Sequence, residues 1–195
     1  MPPQEHTQDG TLIEWASEQA AFFLAPLGKR WRHVQGVAAR AYQIGAIFNE
    51  NDRSYLIAAA YLHDIGYAPS LKKTGFHPLD GAYYVQTYGQ ERLTSLVAYH
   101  SEAQCEAQLR GLSSELAYFP REHSAVADAL TYCDLTTNSV GQRVTFRERV
   151  TDILSRYGES DIVTQALRQA MPAWTLAIEQ TEQALCKHRY IKEHS

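Results

Sequence analysis

The sequence predicts an all-α fold, a single domain over residues 1–195 built from about eight or nine helices. Three observations carry that expectation. Nearly every segment repeats its apolar residues at the helical period, no segment alternates with period two, and no linker, internal repeat or low-complexity tract divides the 195 residues. A chain of this length buries an apolar core without disulfide or metal staples. Its 45% hydrophobic and 21% charged residues are those of a globular protein, which excludes wholesale disorder.

The elements follow in order. Leu12, Ala16, Ala20, Phe23 and Leu24 form a first stripe, which Pro26 and Gly28 end. Val34, Val37, Ala38, Ala41, Gly45 and Phe48 form a second. Asn51 and Asp52 suit the N-cap of a third helix, Arg53 to about Asp64, with Leu56, Ala59 and Ala60 inward. Gly66, Pro69 and Gly75 mark a loop. Pro78 suits the first turn of a short helix with His77 at its cap, and Gly89 separates that helix from another, Glu91 to about His100. Residues 101–120 read as loop, weakly periodic from Gly111 to Phe119. Pro120 opens a helix running to about Leu135, with Val126, Ala127 and Leu130 on its core face. Beyond a loop from Thr136 to Gly141, Phe146, Val150, Ile153, Leu154 and Tyr157 make a stripe closed by Gly158 as the C′ residue. Ile162, Val163, Ala166, Leu167 and Ala170 follow, and Pro172 starts the last helix with Trp174, Ala177, Ile178, Thr181 and Leu185. The stripes over 143–190 suit packing on a core at about 29–140 and suit a dimer interface equally, so a homo-oligomer stays open.

Eighteen Lys plus Arg against 22 Asp plus Glu leave a net charge of −4, so nucleic acid is not an expected partner. Cys105, Cys133 and Cys186 are odd in number and widely spaced, which predicts reduced thiols rather than disulfides or a zinc-thiolate site. The first ten residues, MPPQEHTQDG, have neither the basic nor the apolar region of a signal peptide. The most apolar runs, 20–27 and 56–62, fall short of the ~20 residues that span a bilayer. A cytoplasmic protein without membrane contact is expected.

The chemistry sits on the core faces. His63-Asp64 alone means little, since eight histidines and eight aspartates produce such a pair by chance roughly 0.3 times per chain of this length. Its position means more. Leu56, Ala59, Ala60 and His63 share one helix face, as do Leu93, Leu96, Val97 and His100, and again Ala127, Leu130, Thr131 and Asp134. His33 lies one turn before Val37. Carboxylates facing a core are costly unless paired or metal-bound, and one bound cation accounts for several of these residues together. Taken singly, Asp134 could cap backbone donors and His77 could serve only as a helix cap. His6, His188 and His194 read as surface, and Trp174 with Tyr83, Tyr84 and Tyr88 as core or packing surface. His123 falls on the Asp134 face, but on a continuous helix it lies roughly 16 Å away and cannot share its metal.

The order His33 … His63-Asp64 … Asp134 on helices resembles the HD-domain superfamily of metal-dependent phosphohydrolases, over roughly residues 29–140. The segments RWRHVQGVAARA, AAYLHDIGY, FHPLDGA, VAYH and TYCDLTT resemble its successive motifs; Tyr67 departs from a lysine found in many members, for which Lys72 or Lys73 could substitute. The resemblance implies an HD-type helical bundle in which His33, His63, Asp64 and Asp134 hold one divalent metal. His77 and His100 hold a second, with Asp64 bridging. Iron or manganese fits this nitrogen and oxygen set best, with zinc, nickel, cobalt or magnesium also open. It further implies hydrolysis of a nucleotide or other small phosphorylated metabolite by a metal-bound hydroxide, with Asp64 and Asp134 as catalytic carboxylates. Lys72, Lys73, Arg143 and Arg147 are the candidate phosphate-binding cations, and Thr137 a candidate hydrogen-bond donor. Two alternatives stay open: a di-iron oxygenase similar to myo-inositol oxygenase, which uses the same ligand order, and a non-catalytic, metal-containing ligand sensor.

Overall fold

In the computed structural model, which describes residues 9–194, helix α1 (Asp9–Leu24) presents Leu12, Ala16, Ala20 and Leu24 to the core and ends in a 3-10 turn at Ala25–Leu27. Helix α2 (Lys29–Ile44) buries Val34, Val37, Ala38 and Ala41, and with them His33. Helix α3 (Glu50–Leu62) is the centre of the fold: Leu56 through Ala60 are all fully buried, and in its second half only Tyr61 reaches toward water. Its cap is Asn49, whose side chain accepts from the Asp52 N–H at 2.9 Å, rather than Asn51 or Asp52, which lie in the first turn. A run of small residues, Ala58–Ala60, lets neighbouring backbones approach, and α1 and α2 both pack on it.

Helix α4 (His77–Gln86) begins one residue earlier than the sequence predicts. Phe76 is the cap, and His77 is the first helical residue with its side chain free for other work. Helix α5 (Glu91–Tyr99) pairs with α4. The stretch expected as loop, 101–120, holds two short helices, α6 (Ala103–Leu109) and α7 (Ser113–Leu116). They cover a second apolar cluster around Phe76, Leu79, Leu116 and Phe119.

Helix α8 (Ala125–Leu135) starts at a Ser124 cap and not at Pro120. The reason is where the donors and acceptors go. Glu122 gives its N–H to Ser95 Oγ at 2.8 Å and its carboxylate to the Arg92 fork, while Ser124 Oγ accepts from the Ala127 N–H. Residues 120–123 therefore stay irregular. Helix α9 (Phe146–Arg156) is held by a Thr145–Glu148 capping box, and its C-terminus runs into extended Tyr157 without a left-handed Gly158. Only half of its stripe is shielded: Leu154 and Tyr157 are exposed, and the fully inward residue is Arg149.

Helix α10 (Ile162–His194) runs unbroken through Pro172, joining the two helices expected there. A proline inside a helix costs about 3 kcal/mol. Here Ala166, Leu167 and Ala170 before it and Trp174, Ala177 and Ile178 after it lie in one buried line along α8 and α6, and that packing outweighs the lost hydrogen bond. Among the described residues there is no strand, only a lone bridge between Thr137 and Arg143, and no helix is long and apolar enough to cross a membrane. Cys105, Cys133 and Cys186 are all unpaired.

Candidate metal centre

Five helices deliver the cluster. His33 comes from the core face of α2, His63 and Asp64 from the C-terminal end of α3, and His77 from the first residue of α4. His100 follows α5, and Asp134 lies in the last turn of α8. Two glycines make the approach close enough. A Cβ on Gly66 would lie 2.0 Å from the His77 carbonyl oxygen, so only glycine lets the turn after Asp64 rest on the start of α4. On the other side, a Cβ on Gly36 would meet Gly141 O at 2.4 Å, and Gly141 itself sits at φ +82°. That contact seats the 138–141 loop against α2, behind His33.

Each of three imidazoles is oriented from behind by a backbone carbonyl. Nδ1–H of His33 donates to Asn138 O at 3.0 Å, that of His63 to Ala60 O at 2.9 Å and that of His100 to Val97 O at 2.7 Å. A ring that donates from Nδ1 leaves Nε2 as a bare lone pair when neutral. All of these Nε2 atoms point inward. His33 Nε2 lies 3.1 Å from Asp134 Oδ1 and 3.7 Å from Asp64 Oδ2; His63 Nε2 lies 3.4 Å from Asp64 Oδ2. His77 Nε2 lies 3.3 Å from both Asp64 Oδ1 and His100 Nε2. The donors fall into two triads that share Asp64: His33 with His63, and His77 with His100.

These residues fit a divalent cation. His63 Nε2 is sealed from solvent without a hydrogen-bond partner, and two facing nitrogens at His77 and His100 have at most one proton between them. Such an arrangement is costly by itself and is relieved by a bound cation. Imidazole nitrogen with carboxylate oxygen is a donor set of first-row divalent ions.

Electrostatics agree. Burial opposes ionisation of Asp64, but Arg30, in direct ion pair with it, and His63 and His77 hold its carboxyl well below the usual range. Asp134 is likewise buried and likewise held low, by His33, then His63 and Arg149. Burial, then His63 and His77, push His100 down to about 3, so it is neutral at any physiological pH. His63 moves the other way: burial lowers it, but Asp64, Asp134 and the Ala60 carbonyl together carry it above its ordinary value. Asp134 Oδ2 accepts from Ser101 Oγ at 2.6 Å, and Trp174 Nε1–H donates to the Ser101 carbonyl at 3.0 Å, so α10 reaches the cluster through one residue.

Asp64, His77, His100 and Asp134 open on a cavity of about 420 Å³ whose wall carries Arg30, Arg110, Arg149 and Arg156. Arg30 lies 3.9 Å above the Tyr67 ring, which stacks on His77 at 4.1 Å. The expected phosphate-binding residues stand elsewhere. Lys72 and Lys73 are exposed, Lys73 over the Tyr83 ring, and neither lines the cavity. Arg143 faces a separate hollow beside Arg40 and Tyr132, and Arg147 is exposed on α9. Thr137 Oγ1–H donates to Cys133 O at 2.8 Å, closing the end of α8. Two signals for the arginines were present in the chain. Arg30 is one turn before His33, and Arg149 interrupts the Phe146–Ile153 stripe at a core-facing position.

His123 precedes α8 and lines another cavity with Ser124 and Asp128. His188 is half-buried with its Nε2 shielded rather than at the surface, His194 is exposed, and His6 lies outside the described residues. Tyr84 and Tyr88 pack on Phe23 and Trp15 of α1.

The HD domain family matches residues 30–138, more than half of the chain and the stretch that carries His33 through Asp134. No curated protein matches the chain, and no solved structure does.

Proposed function

The chain belongs to the HD domain family, and from that premise we propose that it is a metal-dependent phosphohydrolase acting on a nucleotide or another small phosphorylated metabolite. The observation that carries this reading is that metal-type ligands and a wall of guanidinium groups open on one cavity. His33, His63, Asp64 and Asp134 would hold one cation; Asp64, His77 and His100 would hold a second, with iron or manganese the best match to the donor set. Such ions, when bound, supply Lewis acidity toward water and a phosphoryl oxygen.

The chain's own residues do the rest. Arg30 and Arg149 face the space in front of the ligands, where negative charge grows on the phosphoryl oxygens, and guanidinium forks suit that charge. Asp64 and Asp134 hold protons weakly, which favours a role as anchors over one as proton acceptors. Phosphate and nucleotide release from a panel of phosphomonoesters and phosphodiesters, by protein stripped and reloaded with Mn²⁺ or Fe²⁺, tests the proposal. Metal-dependent release is expected. Asp64→Asn should lower kcat by more than about 100-fold, since even outer partners of metal ligands cost ten- to a hundredfold. No release in protein shown to be loaded, or substrate-dependent oxygen uptake instead, would overturn it.

A further inference from the structure

Next to the ligand cavity lies a second one of about 260 Å³, lined by Lys29, Arg30, His33, Ser139, Arg149 and Arg156. Arg30, Arg149 and Arg156 line both and so form the partition between them. Four of the six lining residues are cations and, among the described residues, none is a carboxylate. Arg30, Arg149 and Arg156 pair with Asp64, Asp134 and Asp152 behind that lining, so the surroundings are nearly balanced in charge. The surface the cavity itself presents is cationic, and a cationic lining attracts anions.

Arg149 makes the site a built one. It is only 7% exposed, yet its Nε and Nη1 have no hydrogen-bond partner. Its contacts with Asp134 and Asp152 are both as long as 3.5 Å. Guanidinium donors kept dry with only such long contacts are costly, and an anion between the helices lowers that cost. Arg156 is already oriented by Asp152 at 2.9 Å, and Lys29 is exposed at the rim.

We propose that this second cavity is a subsite for a second phosphate, so that the substrate carries at least two phosphate groups: one against the ligand cluster and one among Lys29, Arg149 and Arg156. The inference rests on the phosphohydrolase reading for the word substrate, while the subsite itself can be tested without turnover.

The test is calorimetric binding of inorganic pyrophosphate at fixed ionic strength to the full-length chain, metal-stripped, for the unaltered protein and the Lys29→Gln/Arg156→Gln double variant. Both altered side chains reach solvent, and circular dichroism with thermal melting verifies that the variant is folded. Pyrophosphate should bind the unaltered protein and bind the variant at least tenfold more weakly, while malonate, a dicarboxylate of similar span, binds neither comparably. In Mn²⁺-loaded protein, KM for a nucleoside diphosphate should lie at least tenfold below that for the matching monophosphate, and the variant should lose that ratio. Equal pyrophosphate affinity in both proteins, or malonate binding as tight, would overturn the subsite. Absence of hydrolysis of any substrate overturns only the phosphohydrolase reading, because the binding comparison still decides whether the subsite exists.

Discussion

Three imidazoles of the cluster are set by the backbone carbonyl behind them, and at His100 burial decides the proton chemistry. His100 titrates at about 3 in the folded chain, against an ordinary value of 6.5. Between those values the unfolded chain binds the extra proton, so the contribution of His100 to stability is intact above 6.5 and is lost as pH falls toward 3. Asp64 and Asp134 act lower: with folded pKa values depressed, their contribution is present above the ordinary carboxylate value and is lost as pH falls below it. His63 has the opposite sign, its contribution present below 6.5 and lost as pH rises through its raised folded value. Thermal melts of metal-free protein between pH 4 and 7 should therefore show a His100→Gln variant with a flatter acid limb than the unaltered chain. An identical slope would contradict the burial of a neutral imidazole. The ligand positions were legible at this scale because His33, His63, His100 and Asp134 each continue an apolar stripe. Among the cations the signal was weaker: Arg30 lies one turn before His33 and Arg149 inside the α9 stripe, whereas Lys72, Arg143 and Arg147 carry no local mark of which way the backbone turns them.

At the scale of elements, caps and close contacts decide where helices start and which ends meet. Ser124, not Pro120, opens α8. Ser124→Ala should accordingly cost about 1 kcal/mol in urea unfolding, whereas Pro120→Ala should leave the helix boundary unchanged. Gly66 carries a heavier constraint. Gly66→Ala drives a methyl group into the His77 carbonyl, so a loss of about 3 kcal/mol is expected, together with reduced metal content as His77 moves away from Asp64. Full metal content in that variant would show that the two ends do not need this contact. Element identity was mostly readable from period, and the failures have common causes. Residues 103–116 hold helices too short to display a stripe, and the propensity rule at Pro172 gives way to packing that spans both sides of it.

Across the whole molecule, the cluster joins helices distant in sequence: His33 and Asp134 touch although 101 residues separate them. A cation held there cross-links α2, α3, α4, α5 and α8 and acts on the folding equilibrium of the entire chain. Adding Mn²⁺ to stripped protein at about a hundred times its dissociation constant should stabilise it by about 2.7 kcal/mol, read as a rise in Tm that Asp64→Asn abolishes. An unchanged Tm would speak against a metal in the native state. The chain by itself determined the helical class, most of its segments and the histidines and aspartates that meet in the cluster, because burial on a helix leaves a 3.6-residue trace that needs no knowledge of the partner. Tertiary structure decided which charges face the cluster, since Arg30 and Arg149 become neighbours only through the packing of α2 and α9 about α8, and helical period marks the face a charge lies on but not what stands opposite it.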